Sequence, residues 1–162
     1  MSRSLGRILI ATAALVVTLA LAAVAAAAPH FNRASATGPD ASGNLTVDFK
    51  IAGLGDTVTT TVTATADATA EYVCVNRGGN VPSDPKKQQV SGPVSASGEF
   101  TSGKNGSITD SLTLMPPPST LDCPGGQREV LASVSYTNVA VSEPNAGTAP
   151  IPGTFSRVFF DV

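Results

Sequence analysis

Leu45, Val47, Phe49 and Ile51 alternate with Thr46, Asp48 and Lys50. A period of two places the four apolar side chains on one face, which predicts a half-buried strand. Gly53-Leu54-Gly55-Asp56 breaks it. Val58, Val62 and their interleaved threonines predict a second strand, and Ala70 to Val75 a third. In that third strand Tyr72 and Cys74 share one face and Val73 and Val75 the other. The nine residues before Thr37 form a lead, read as an edge strand containing Phe31.

Val90, Val94 and Ala96 resume the alternation, with Gly92-Pro93 inside it. A proline cannot donate to a ladder, so this strand needs a bulge or an edge position. Asn105-Gly106 stands between two strand-like runs, and that dipeptide is the strongest short-range hairpin signal. Ile108, Leu112 and Leu114 would form the return strand, ended by Pro116-Pro117-Pro118. Val130 to Val141 reads as the longest and a central strand, and Thr154 to Val162 closes the fold with Phe155, Phe159 and Phe160. The connections are the turns 38–44 and 123–126 and three long loops at 77–88, 115–127 and 143–152. Seven to nine strands and no helix predict an all-β antiparallel sandwich, immunoglobulin-like only in the loose sense. Cys74 is the first cysteine, and no tryptophan is present to pack on a disulfide.

The N-terminus follows a different rule. Arg3 and Arg7 precede an uncharged run from Ile8 to Val24, then Ala25-Ala26-Ala27-Ala28 and Pro29. This is the layout of a secretory signal peptide, residues 1–27, cut after Ala27. The alternative is an uncleaved membrane anchor. Residues 28–162 would then form one secreted domain that starts Ala28-Pro29-His30. Removing Arg3 and Arg7 leaves eight basic against twelve acidic side chains. A mildly acidic domain without a basic patch excludes nucleic acid and anionic lipid as partners. In an exported chain the pair Cys74 and Cys123 reads as one disulfide. Closing a loop of about fifty residues is worth about 4 kcal/mol in the chain-entropy model.

Candidate chemistry is sparse. His30 is the only histidine. An amino-terminal copper site needs a deprotonatable amide at its second residue, where Pro29 has none, and no second imidazole exists. His30 therefore reads as a mobile terminal residue. Asp40-Ala41-Ser42-Gly43-Asn44 is oxygen-rich but lacks the spacing and distal glutamate of a calcium loop, and it reads as an Asx turn. Asn44-Leu45-Thr46 and Asn105-Gly106-Ser107 match glycosylation acceptors. No nucleophile–base pair, carboxylate pair or metal set is legible, so no enzyme activity, cofactor or metal is expected. The most distinctive segment is Leu114 to Cys123. Its Met115, Pro116, Pro117, Pro118 and Leu121 form a stiff, disulfide-tethered candidate binding loop.

From Gly38 onward the chain resembles a group of uncharacterised small secreted actinobacterial proteins. The carrying stretches are Asn44 to Gly55, Tyr72-Val73-Cys74-Val75-Asn76 and Val134 to Val139. That resemblance implies export and a single domain, and it implies no activity. Around Asn105-Gly106-Ser107 and Leu112-Thr113-Leu114 the chain is faintly similar to the enediyne-carrier apoproteins, β-sandwiches with two disulfides where this chain has cysteines for one. The resulting expectation is a secreted, non-enzymatic domain that binds an extracellular protein, a cell-wall component or a small ligand. The alternatives are a protease inhibitor acting through residues 114–123 and a small-ligand carrier.

Overall fold

The computed structural model describes residues 27–161. The predicted leader lies outside these residues, Ala27 excepted. Eight strands are formed: β1 (His30–Thr37), β2 (Leu45–Ala52), β3 (Thr59–Asn76), β4 (Lys87–Thr101), β5 (Ile108–Leu114), β6 (Gln127–Glu143), β7 (Gly147–Ile151) and β8 (Phe155–Val158). They make two antiparallel sheets, β1-β2-β5 and β4-β3-β6-β7, with β8 also on β6. The all-β sandwich with one disulfide is thus the observed architecture.

The core is built by the predicted alternation. Leu45, Val47, Phe49 and Ile51 of β2 are fully buried and face Val62, Ala64, Ala66, Ala68 and Ala70 of β3 and Tyr136, Val139 and Val141 of β6. Four alanines on one strand leave room for the large rings opposite. Phe49 meets Phe100 edge-on, with ring centroids 5.2 Å apart, a favoured aromatic geometry.

That alanine run also corrects the sequence reading. The predicted second and third strands are one continuous 18-residue strand, β3. Alanine is a weak strand former, so residues 63–69 carry little local signal. Their period of two is nevertheless unbroken, and burial against the opposite sheet decides the conformation. As a result β3, not β6, is the longest strand, although β6 is central, flanked by β3 on one side and by β7 and β8 on the other.

Gly92-Pro93 sits within β4 at the edge of the larger sheet, as proline requires. Its pairing with β3 runs without a register shift from Thr59↔Thr101 to Val73↔Lys87, so no bulge is needed. β1 is likewise an edge strand. His30 belongs to it, paired with Ala52, and is not a free terminal residue. Asp40 forms the expected Asx turn, its carboxylate accepting from the Asn44 and Ser42 amides at 2.9 and 2.8 Å. Those two backbone donors hold its pKa below the ordinary value.

The Asn105-Gly106 expectation fails in an instructive way. A tight turn is present, with Gly106 N donating to Gly103 O at 2.8 Å. It joins no hairpin, because β4 lies in one sheet and β5 pairs with β2 in the other. Residues 102–107 are long enough to cross the roughly 10 Å between packed sheets. The β2–β3 connection crosses beside them, and the two crossovers bind each other. Leu54 N donates to Gly106 O (3.0 Å), and Ser102 N to Val58 O (2.9 Å). The buried Ser102 hydroxyl accepts from Val58 N (2.9 Å) and donates to Gly55 O (2.6 Å).

The loop expected at 143–152 is instead a hairpin, β6–β7, organised by a carboxylate. Glu143 is only 2% exposed. Its oxygens accept from the Asn145 and Ala146 amides at 2.7 and 2.6 Å and from the Thr60 hydroxyl at 2.6 Å. Burial raises its pKa, but these donors together outweigh burial and leave it below the ordinary 4.5. A depressed carboxylate contributes stability above its unfolded pKa and loses it as pH falls through the folded value. Urea unfolding is therefore expected to show stability falling below pH 4.5, with a shallower fall in Glu143→Gln; an identical slope in the variant would remove this role. Ser102→Ala leaves one amide and one carbonyl without their partner, and is expected to cost about 2 kcal/mol in the same assay.

Candidate functional site

The sequence-predicted loop is a strap across the inner side of the larger sheet. β3, β4 and β6 run past the end of the three-stranded sheet, and there Tyr72 and Cys74 still point inward. The chain leaving β5 takes the place that the smaller sheet vacates. Each part of it is fastened. Pro116 packs on Gly43, where a Cβ would lie 3.0 Å from Pro116 Cγ and 2.5 Å from Leu131 Cδ2. The Tyr72 hydroxyl donates to Pro117 O at 2.8 Å. Gln88 of β4 accepts from Thr120 N (3.0 Å) and donates to Thr120 Oγ1 (3.0 Å). The Ser119 hydroxyl lies 2.9 Å from both Gln88 Oε1 and Glu129 Oε2, its single proton serving one at a time. Lys86 Nζ donates to Asp122 O at 2.6 Å. Cys74 and Cys123 are bonded, their Cα atoms 5.6 Å apart.

Tyr136 secures the neighbouring turn from below. It is fully buried, and its hydroxyl donates to Gly43 O at 2.8 Å. Burial raises the pKa of both tyrosines, with the Glu129 charge adding to it at Tyr72. Both remain neutral donors at physiological pH.

This arrangement separates the five candidate binding residues. Pro117 is buried and Pro116 and Leu121 are half-buried, while Met115 (69% exposed) and Pro118 face solvent. A protease-binding loop must offer an extended backbone with free polar groups. Here the Pro117 carbonyl and the Thr120 amide are already engaged, and prolines have no N–H. The strap is built as a cover for the sheet. The opposite face of the same sheet end is covered separately. Val73, Val75 and Ala132 are buried there, with Val81, Val130 and Phe160 packed on them. The inter-sheet space is filled by Phe49, Tyr136 and their neighbours, so a carrier cleft between the sheets finds no support in this packing.

A second surface was not foreseen from the sequence. On the outer side of the larger sheet, β3 presents Thr59, Thr61, Thr63, Thr65, Asp67, Thr69 and Glu71. The registers set Ser97 and Ser142 beside Thr63, Ser95 beside Thr65, Thr137 beside Asp67, Ser91 and Ser135 beside Thr69, and Ser133 beside Glu71. Thr148 and Ser156 extend two of these rows. Hydroxyls join across strands at Thr59–Thr101 (2.8 Å), Thr63–Ser97 (2.8 Å) and Thr69–Ser91 (3.0 Å). Asn138, at a bulge of β6 with φ 51°, donates to Asp67 Oδ2 at 2.8 Å. The rows from Thr59 to Glu71 contain three carboxylates (Asp67, Glu71, Glu99), no lysine or arginine and no aromatic ring; Lys87, beside Val73, and Arg128, beside Val75, follow on the same face. A cleft of about 380 Å³ deepens one end, lined by Thr61, Thr63, Ser142 and Thr148 with the β6–β7 turn. The signal that could have revealed this face is the threonine at every second position from 59 to 65, and again at 69.

Among the described residues, no group of three or more His, Cys, Asp or Glu is placed to hold a metal ion. Replacing Cys74 and Cys123 by alanine is expected to lower stability by about 4 kcal/mol, and Tyr72→Phe by about 1 kcal/mol. Urea unfolding checks both. Loss of under 1 kcal/mol in the double variant would mean that the strap does not depend on its tether. Comparison with known proteins places the chain in no group: no protein-family profile matches it, and no curated protein does.

Proposed function

We propose that this is an exported, non-enzymatic domain that binds a neutral, hydroxyl-bearing polymer at the cell exterior through the outer face of its larger sheet. The observation that carries the reading is the set of Ser and Thr rows without a cation or an aromatic ring. A face of this composition offers one donor and two acceptors at each hydroxyl. It offers no cation to pair with a phosphate or a carboxylate, and no ring for stacking. Each hydrogen bond to a partner is worth only about 1 kcal/mol net. Useful affinity then requires a repeating partner that engages several rows at once. A cell-wall glycan has that chemistry.

Export rests on the leader pattern of residues 1–27 and on the resemblance to small secreted proteins. The Cys74–Cys123 disulfide is compatible with an oxidising compartment. The strap contributes rigidity to the domain that presents the face.

The test is retention of purified residues 28–162 on insoluble cell-wall polysaccharide. Retention that persists as salt rises from about 0.05 to 1 M is expected, because the contact is not ionic. The pair Thr63→Lys and Thr65→Lys, on exposed or half-exposed positions, should abolish it without changing the free energy of urea unfolding by more than about 0.5 kcal/mol. Equal retention of this variant and the parent would show that the face is not the site.

A further inference from the structure

The chain entering β1 lies in a built seat. A cleft of about 290 Å³ is lined by Ala27, Gly53, Gly55, Asp56, Lys104 and Gly106, where the two sheet crossovers meet. Gly53 has φ 81°, and a Cβ there would lie 2.7 Å from the carbonyl oxygens of both Ala27 and Ala28. Only glycine allows this approach. His30 Nδ1 donates to Ala28 O at 2.9 Å, which holds the segment in place.

We propose that this cleft is the binding seat of the mature α-ammonium group, paired with Asp56, so that removal of the leader adds an interaction that the precursor lacks. The inference rests on the export reading above. Hydrolysis of the Ala27–Ala28 amide by a leader peptidase adds the hydroxyl of water to the Ala27 carbonyl carbon. It leaves an amine on Ala28, which takes up a proton at neutral pH. Departure of Ala27 vacates part of the cleft beside Asp56 as the cation appears. The Ala28 carbonyl keeps its contacts with Gly53 and His30, and so holds the new terminus in position. The charged groups around it are Asp56 and Lys104 from the two crossovers and His30 from β1. Asp56 attracts the ammonium and Lys104 opposes it.

A double-mutant cycle tests the pair: chains starting at Ala28, free or N-acetylated, with Asp56 or with Asp56→Asn, unfolded in urea at pH 6. Acetylation is expected to lower the folding equilibrium constant about two- to five-fold with Asp56, the range of an exposed ion pair, and to have no such effect in Asp56→Asn. A cation whose pKa is raised by folding stabilises below its unfolded pKa and ceases to as pH rises through the folded value. The difference should therefore vanish above about pH 10, and grow at pH 6 in Lys104→Gln. Equal acetylation effects in the Asp56 and Asp56→Asn backgrounds overturn the seat. N-terminal sequencing of the exported protein is a separate arm: a product starting at Ala28 supports the proposal, and one that retains residues 1–27 overturns the export reading instead.

Discussion

The structure depends on covering one overlong strand. β3 runs for 18 residues, whereas β1 and β2 opposite it have 8 each and β5 has 7. At about 3.3 Å per residue, β3 outreaches the smaller sheet by roughly 30 Å. An apolar sheet face cannot be left bare over that length. The protein covers it from both sides, with the proline strap inside and the 77–86 loop plus Phe160 outside. The disulfide, the Tyr72–Pro117 bond and the Gln88 contacts all serve this cover.

Proline is well suited to such a strap. A segment that leaves one sheet and lies against another has no ladder to donate to, so its amides would have to find partners elsewhere. Three consecutive residues without N–H groups reduce that demand. The carbonyl at Pro117, which is buried, is satisfied by the tyrosine beneath it. The same logic recurs at the opposite end. There two crossovers satisfy each other's backbone groups through Ser102, and Glu143 supplies acceptors to the hairpin turn beside Thr60. Both ends of the sandwich are thus closed by side chains that neutralise loop backbone. The outer face of the larger sheet from Thr59 to Glu71 is left as the open, regular surface.

Much of this was legible one element at a time. The alternation in 45–51, the need of Gly92-Pro93 for a bulge or an edge position, the Asx turn at Asp40 and the cysteine pair all follow from local chemistry; each is observed, Gly92-Pro93 at an edge. The fusion of two predicted strands into β3 was not legible, because alanine becomes a strand residue there through burial and not through propensity. The role of Asn105-Gly106 was misread for a related reason. The dipeptide specifies a tight turn, but whether the flanking strands pair with each other depends on which sheet each joins. The candidate loop residues were identified by their stiffness, and stiffness does not say which of them will be buried.

The amino-acid sequence alone determined the strand-rich character, the inward and outward faces of most strands, and the redox partner of each cysteine. These are properties of period two and of counting. Only the tertiary structure decided that Pro117 faces inward while Met115 faces solvent, that hydroxyls from up to four strands align in rows, and that Gly53 lies against the incoming chain. Those outcomes depend on register between segments as much as 79 residues apart, such as Thr63 and Ser142. Register is set by the fit of whole faces, which no short stretch of sequence encodes.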